Sequence, residues 1–413
     1  PRRMAGGWGM NLQAIERDAC ARLSAMRARM EDELAAWVAI PTGHGFAPGL
    51  ARQRAALADR LRALGADLED VPCDPRPAWI DPPWQASSAA GADILIARRA
   101  GRGPRLLLSG HFDTVHDPHG PFRALTAAGG GRATGPGAAD MKGGLVLACA
   151  ALEAIRDAGG ELAWSFILVP DEESGSFGSD RALRACAAGH AAGFALEPAG
   201  EGGTLVVERM GAGQFRIDTV GRAAHAGRDH ARGVSAVRVL CERVLRAEEL
   251  TSAHGGRIVN VGPLQGGAAT NIVPDRAHAW GNMRFSGYAA QAELERGLDA
   301  LAAGGEGDVP RVRVQRIVGR PAKPLTAPVE HLVRIVERAS DELGHPLARG
   351  RTGGVCDGNN LQAAGLPTLD TLGVRGGNLH RTDEWVDLDG LVDRAQLLAM
   401  SLVRTAASPP PVS

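Results

Sequence analysis

Lysine is nearly missing from this sequence. Only Lys142 and Lys323 occur among the 46 basic residues, and the rest are arginine. With the abundance of alanine and glycine, this reads as the codon bias of a GC-rich genome and carries no function. Tyrosine occurs once, as Tyr288, and aromatic residues make up 4% of the chain. That is too little for a platform on which single-stranded nucleic acid stacks. Neither sign of charge dominates: 46 basic against 47 acidic residues give a net charge of −1. Without a basic excess, nucleic acid is not an expected partner. No run of about 18 apolar residues is present, so neither a transmembrane helix nor a membrane partner is expected. Pro1–Met10 has no apolar core of the signal-peptide kind. Pro1 is not expected to be a native start, Met4 and Met10 being the candidates, and the tail from Ser408 to Ser413 is expected to fray. The six cysteines (20, 73, 149, 186, 241 and 356) form no CxxC and no zinc-finger spacing. They read as inert thiols in a reducing compartment, which makes a cytoplasmic location the expectation. The glycine-rich stretch 129–137 lacks both GxGxxG and the P-loop lysine spacing, so no dinucleotide site is expected.

What is present is an ordinary globular composition, 44% hydrophobic and 23% charged over 413 residues. That excludes a mainly disordered chain and implies two or three domains. Residues 12–37 and 51–64 carry helical periodicity. Arg105–Ser109 and Leu162–Val169 read as short buried strands, and residues 143–157 between them as an apolar helix closed by Gly159–Gly160. Strand, loop and helix alternate, which predicts an α/β sheet flanked by helices. The pattern changes near Val207. Strands at 213–220, 257–263, 278–285 and 311–318 and helices at 232–247 and 289–302 predict an α+β unit beside an antiparallel sheet. From 328 onward helix and strand alternate again. The expected organisation is a discontinuous catalytic domain (1–207 and 323–413) interrupted by an inserted domain (208–322).

Histidines and carboxylates collect at the ends of the predicted strands. His111 and Asp113 follow the first strand, Asp140 the glycine-rich loop, Asp171–Glu172–Glu173 the second strand, Glu197 the run 193–196, and His380 the glycines at 376–377. In open α/β sheets such strand ends converge on one crevice. Taken singly, each feature is weak. HxD is common by chance, DEE is usually a solvated turn, and an Asp before a helix is usually a cap worth about 1 kcal/mol. Together they match a two-metal site. Such a site needs imidazole and carboxylate ligands, a shared carboxylate, and a further carboxylate free to move a proton. Glu172 and Glu173 can divide the last two tasks as base and ligand, and Asp113 can orient the His111 ring.

The segments Ser109–Val115, Gly137–Gly144, Pro170–Ser176, Ala195–Pro198 and His380–Val386 occur in an order that resembles the co-catalytic dizinc metallohydrolase family of glutamate carboxypeptidases, aminoacylases, acetylornithine deacetylases and succinyl-diaminopimelate desuccinylases. The resemblance implies a zinc-exopeptidase-like catalytic domain, with a mixed sheet between helices, and an inserted α+β lid and dimerisation domain. It implies two Zn²⁺ per subunit, Co²⁺ or Mn²⁺ being alternatives. His111 and Glu197 would hold one ion, Glu173 and His380 the other, and Asp140 would bridge them, next to an unusual cis peptide. Glu172 would be the general base and then the general acid, with Asp113 behind His111. Two departures are visible, Pro136 where the family usually has arginine and Arg381 where it usually has a small residue; neither removes a ligand.

Within the inserted unit, Gly221–Gly227 resembles the family's GxxxHAG turn, so His225 would reach the neighbouring subunit's site and stabilise the oxyanion. Asn271 resembles the asparagine that assists at the substrate. Arg284 resembles the arginine that binds the substrate's free carboxylate, a task suited to a planar guanidinium. Gly353 and Gly354 would offer backbone amides to the same group. Cys356 has no evident base and is not expected to be a nucleophile, Asp357 reads as a turn or cap residue, and His116 and His119 read as pocket-rim or surface residues. The function implied is metal-dependent hydrolysis of a peptide or N-acyl bond to an amino acid with a free carboxylate, glutamate-carboxypeptidase-like. The alternatives are an N-acyl-amino-acid deacylase of the acetylornithine or succinyl-diaminopimelate type, an N-carbamoyl amino acid hydrolase, and a non-catalytic dimeric binding protein. The expected partners are a small N-acyl amino acid or short peptide as substrate and a second copy of the chain.

Overall fold

The structure is a computed structural model that describes residues 12–43, 45–84 and 91–411. The expectations for the amino-terminal methionines and for the last two residues of the tail lie outside the described residues. Helices α1 (Leu12–Ala25), α2 (Arg27–Val38) and α3 (Ala47–Ala63) come first. The single helix expected over 12–37 is broken at Met26, whose backbone (φ −91°, ψ 0°) leaves the helical range without a side-chain cap. The apolar spacing runs straight through the break, so periodicity could not reveal it.

Strands β1 (Asp67–Val71), β2 (Ile94–Arg99) and β3 (Arg102–His111) follow, then the hairpin β4 (Thr126–Gly129) and β5 (Arg132–Thr134), helix α4 (Gly143–Asp157), strand β6 (Leu162–Val169), helix α5 (Asp180–Ala187) and strand β7 (Ala192–Ala195). The main sheet runs β1-β2-β6-β3-β7 and is completed by β16 (Thr368–Leu369). Strands β6, β3, β7 and β16 are mutually parallel, whereas β2 runs antiparallel to both of its neighbours, β6 and the edge strand β1. Every residue of β6 is buried, as its mostly apolar run, broken only by Ser165, requires of a central strand. Helix α4 lies against the sheet because Gly144 presents no side chain: a Cβ there would stand 2.2 Å from the Leu196 carbonyl oxygen. The parallel strands bring the residues after His111, Val169, Ala195 and Leu369 to one edge of the sheet.

A second unit has its own core. Strand β8 (Leu205–Arg209) leads into β9 (Gly211–Val220), the short β10 (Ala224–His225), α6 (Ala236–Glu248), β11 (Arg257–Gly266), β12 (Ile272–Val273), β13 (Arg276–Phe285), α7 (Tyr288–Asp299) and β14 (Arg311–Arg320). The antiparallel sheet β11-β13-β9-β14 packs Phe215, Ile217, Met283 and Phe285 against Leu240, Leu294 and Leu298 of the two helices. Helix α6 starts four residues later than its periodicity suggested. Ser235 is its N-cap, accepting the amide of Arg238 at 3.2 Å, and the 3-10 turn His230–Arg232 before it is separate from the helix. The chain then closes the first core with α8 (Ala327–Glu342), β15 (Arg349–Thr352), α9 (Asp357–Ala363), the pair β17 (Gly376–Gly377) and β18 (Trp385–Asp387), and α10 (Leu391–Ala407). Among the described residues no helix is long and apolar enough to cross a membrane.

The two chain crossings between the units are joined. Arg209 and Lys323 exchange backbone hydrogen bonds, both 3.0 Å. Their side chains converge on the fully buried Asp370, Arg209 Nη2 at 3.0 Å from Oδ1 and Lys323 Nζ at 3.2 Å from Oδ2. Burial alone would raise the Asp370 pKa, but the two cations outweigh it and hold the carboxyl below its usual range. Removing one partner of a buried ionic cluster leaves uncompensated charge. Asp370→Ala is therefore expected to destabilise the protein by about 3–5 kcal/mol, read as a lowered urea midpoint.

Candidate active site

His111 ends β3, is almost fully buried, and is held on both sides. Its Nδ1 lies 3.0 Å from the Asp113 carbonyl oxygen and its Nε2 3.2 Å from Asp140 Oδ1. The Asp113 carboxylate does a different job from its backbone. It accepts the amides of Glu172 and Glu173 at 3.2 and 3.0 Å, and so fixes the turn after β6, while standing 3.4 Å from His111 Nδ1. Asp140 follows Gly137, whose left-handed backbone (φ +69°) turns the chain into the site, and the Asp140–Met141 peptide is cis. The other Asp140 oxygen, Oδ2, lies 3.4 Å from His380 Nε2, which in turn is 3.2 Å from Glu173 Oε2. One carboxylate thus faces two histidines with one oxygen each.

Donor atoms of His111, Asp140 and Glu173 lie within 4.8 Å of one another. Glu197 joins them from the end of β7, close enough for Asp140 and Glu172 to act on its charge. Crowding of acids in a buried place has its expected signature. Burial, then Asp140, pushes Glu173 up to about 8. Burial and Asp140 likewise raise Glu197 well above the carboxylate range, against the pull of His111. Asp140 goes the other way: burial opposes it, but His111 and His380 hold it below the usual value. The Asp140 and Glu173 carboxylates raise His380 to about 10. Glu173 Oε1 is buried and has no hydrogen-bond partner among the described residues. Imidazole nitrogens, carboxylate oxygens and an orphaned anionic oxygen form a donor set suited to divalent cations.

Residues that the sequence did not single out hold this cluster in place. Glu384 is fully buried and accepts the amides of Gly137, Ala139 and Asp140 at 3.2, 2.8 and 3.0 Å, so it shapes the loop that carries Asp140. His116 Nε2 is 2.6 Å from the same carboxylate. His116 is therefore buried behind the site and not on the pocket rim or surface, because the loop amides draw Glu384, and with it the ring, inward. His119 is exposed. Glu384 lies within the His380–Val386 segment, but only folding shows which amides it meets. Arg320, at the end of β14, pairs with Glu172 Oε1 at 2.6 Å and Asp357 Oδ1 at 3.0 Å. Asp357, expected as a turn or cap residue, stands at the start of α9 and is a buried partner in that pair. Cys356 is buried and its thiol is pushed well up by desolvation, which keeps it neutral.

A cavity of about 1150 Å³ opens over the cluster and is walled by both units. Arg284 lines it, its Nε donating to Asn282 Oδ1 at 3.1 Å while Nη1 is buried without a partner among the described residues. Trp280 lines it too, and its indole N–H donates to the Trp79 carbonyl at 2.9 Å across the two units. The expected glycine amides are not both there. Gly354 lines the cavity, but its N–H is already taken by Thr352 Oγ1 at 3.1 Å, and Gly353 does not line it. The threonine two residues upstream closes an ST-type turn that consumes that donor. His225 and Asn271 also lie away from this chain's cavity, beside each other: the Ala226 amide donates to the Asn271 carbonyl at 2.9 Å. The exposed His225 accepts the Gly227 and Arg228 amides at Nδ1, both at 3.1 Å, so its proton sits on Nε2, facing outward.

Residues 107–404 match the profile of peptidase family M20/M25/M40. Carboxypeptidase G2 of Pseudomonas sp. (strain RS-16) is 27% identical over 384 residues, 90% of this chain and 88% of that protein. Succinyl-diaminopimelate desuccinylase of Methylorubrum extorquens (strain PA1) is 30% identical over 367 residues, 81% of this chain and 89% of that protein. Among solved structures, a dinuclear metal-binding peptidase of the M20 family from Bacillus subtilis superposes with a TM-score of 0.64 at 16% identity, over 92% of this chain and 99% of that one. Loss of the buried carboxylate behind metal ligands typically weakens metal binding 10–100-fold. Glu384→Ala is expected to lower divalent-metal affinity by about that factor, measured by competition with a chelating dye.

Proposed function

The chain belongs to peptidase family M20/M25/M40, whose members are metal-dependent hydrolases, and from that premise we propose that it cleaves an amide bond to an amino acid with a free carboxylate, in the manner of a glutamate carboxypeptidase. The observation that carries this reading is the Arg284 guanidinium, with its unpartnered Nη1, in the cavity that also exposes Asp140, Glu172, Glu173, Glu197 and His380. A planar cation beside a carboxylate-rich reaction centre suits a substrate with its anionic group at one end and its amide at the other. His111 and Glu197 would hold one divalent ion, Glu173 and His380 the other, with Asp140 shared between them, zinc being the first choice and cobalt or manganese alternatives. Ions bound there supply the positive charge that makes a water acidic and polarises the scissile carbonyl.

The chain's own residues do the rest. Glu172, held at Oε1 by Arg320, takes the proton of the attacking water on its other oxygen and returns it to the leaving amine. Asp113 fixes the backbone that carries both glutamates. The partner subunit's His225 donates from Nε2 to the oxyanion, with Asn271 beside it. The second unit is the lid and the dimerisation surface. Its edge strand β11 exposes Ile258 and Leu264, and α6 exposes Leu245, an apolar outer face that a second copy would cover. The six cysteines are unpaired, in keeping with a cytoplasmic location. The alternative, a deacylase of the succinyl-diaminopimelate type, draws on the desuccinylase relative at 30% identity.

Zinc-loaded protein is expected to hydrolyse at least one member of a panel of N-acyl amino acids and dipeptides, N-acyl glutamates foremost. Glu172→Ala is expected to lower kcat at least about 100-fold with its metals retained. Best turnover of N-succinyl substrates would favour the deacylase reading, and an unimpaired Glu172→Ala enzyme would refute the assignment of the base. The shared site has its own check. Mixing inactive Glu172→Ala with inactive His225→Ala subunits is expected to restore turnover, since a heterodimer carries one intact site. Absence of restoration, with subunit exchange verified, would refute the assignment of His225 to the neighbouring subunit's site.

A further inference from the structure

Arg320 is 3% exposed, and its guanidinium is shared among groups drawn from separate elements. Nη2 donates to Glu172 Oε1 at 2.6 Å, to the Glu172 carbonyl at 3.3 Å and to Ser176 Oγ at 2.9 Å. Nη1 donates to Asn360 Oδ1 at 3.2 Å and lies 3.0 Å from Asp357 Oδ1. Ser176 closes the ring by donating to the same Asp357 oxygen at 2.6 Å. Arg320 is the last residue of β14, so it stands where the chain leaves the second unit. A glutamate side chain has three rotatable bonds, and a base must stay within hydrogen-bond reach of the proton it abstracts. Asp113 fixes only the backbone of Glu172.

Resting on the reading of Glu172 as general base, we propose that Arg320 is the positioning residue of that base. It clamps one Glu172 oxygen to a buried Asp357–Ser176 anchor, leaves the other oxygen for proton transfer, and ties the orientation of the base to the junction between the two units. Asp357 and Ser176 act through Arg320 and touch neither substrate nor metal. A planar fork spans these acceptors at once, which a lysine ammonium cannot do in one position.

The test uses the full-length zinc-loaded protein. Because Arg320→Ala leaves Asp357 buried without its cation, Arg320→Lys is studied beside it. Crystal structures of both variants are expected to show the Glu172 side chain spread over more than one rotamer, with Glu173, His380 and both zinc positions unchanged. A Glu172 carboxylate still in its original place would overturn the proposal. With N-acyl glutamates as substrates, Arg320→Ala is expected to lower kcat about 100-fold while KM moves less than about threefold, and Arg320→Lys to recover part of the loss. Adding Arg320→Ala to Glu172→Gln is expected to cost nothing further, because the two act as one unit. A raised KM with kcat unchanged, or losses that multiply in the double variant, would make Arg320 a substrate-binding group and overturn the positioning role while leaving Glu172 as base. Full activity of Glu172→Gln would instead remove the general-base reading itself.

Discussion

Negative charge held out of water is the constraint on which the rest of this structure depends. Asp140, Glu173 and Glu197 meet in a pocket closed by a parallel sheet, and buried carboxylates do not stay ionised unless something compensates them. His111 and His380 compensate part, one at each oxygen of Asp140. The residual excess of anionic oxygen makes the pocket a cation site. Much of the surrounding sequence serves to keep these acids together. Glu384 shapes the Asp140 loop through three amides, and Asp113 ties down the turn of the two glutamates. Each donates no chemistry of its own, yet each determines where a reacting atom can stand.

The parallel strands explain why the acids meet at all. Four neighbouring strands point the same way, so the residues after each of them arrive at one edge. This part was legible in the sequence. The apolar run 162–169 and the helix 143–157 were read with the bounds found in the structure, because strong hydrophobic continuity and a glycine stop leave little choice. The junctions that carry His111, Asp140 and Glu173 stood out because their residue types are chemically unusual at strand ends. Other features were not. Met26 breaks a helix whose periodicity continues through it, and Ser235 sets the start of α6 by a cap that hydrophobic spacing cannot register.

The buried polar residues that pack behind the acids share a trait. Arg320, Asp357, Ser176 and Glu384 are ordinary polar residues whose meaning lies wholly in partners far along the chain. Arg320 meets Glu172 across 148 positions, and Glu384 meets Asp140 across 244. No local spacing encodes such a pairing. The Gly354 amide was hard to read for the opposite reason. The Gly353–Gly354 turn was recognisable, but its donor was spent locally on Thr352, a competition that a motif does not display. His225 and Asn271 sit side by side outside the cavity that exposes the acids, a placement that their glycine-flanked motifs do not display.

The backbone pairing of Arg209 with Lys323 has an architectural consequence. The segment between them leaves and re-enters the host fold at adjacent points, so the host sees a unit of more than a hundred residues much as it would see a tight hairpin turn. Loop-closure entropy, which grows with the length of a floppy connection, is largely cancelled when the connection is itself folded with its ends held together. The host domain can therefore fold around an interruption in its own sequence. The interrupting unit is free to diverge in size and surface without disturbing the sheet that carries the acids. Modularity of this kind lets one hydrolytic centre be fitted with many different covers.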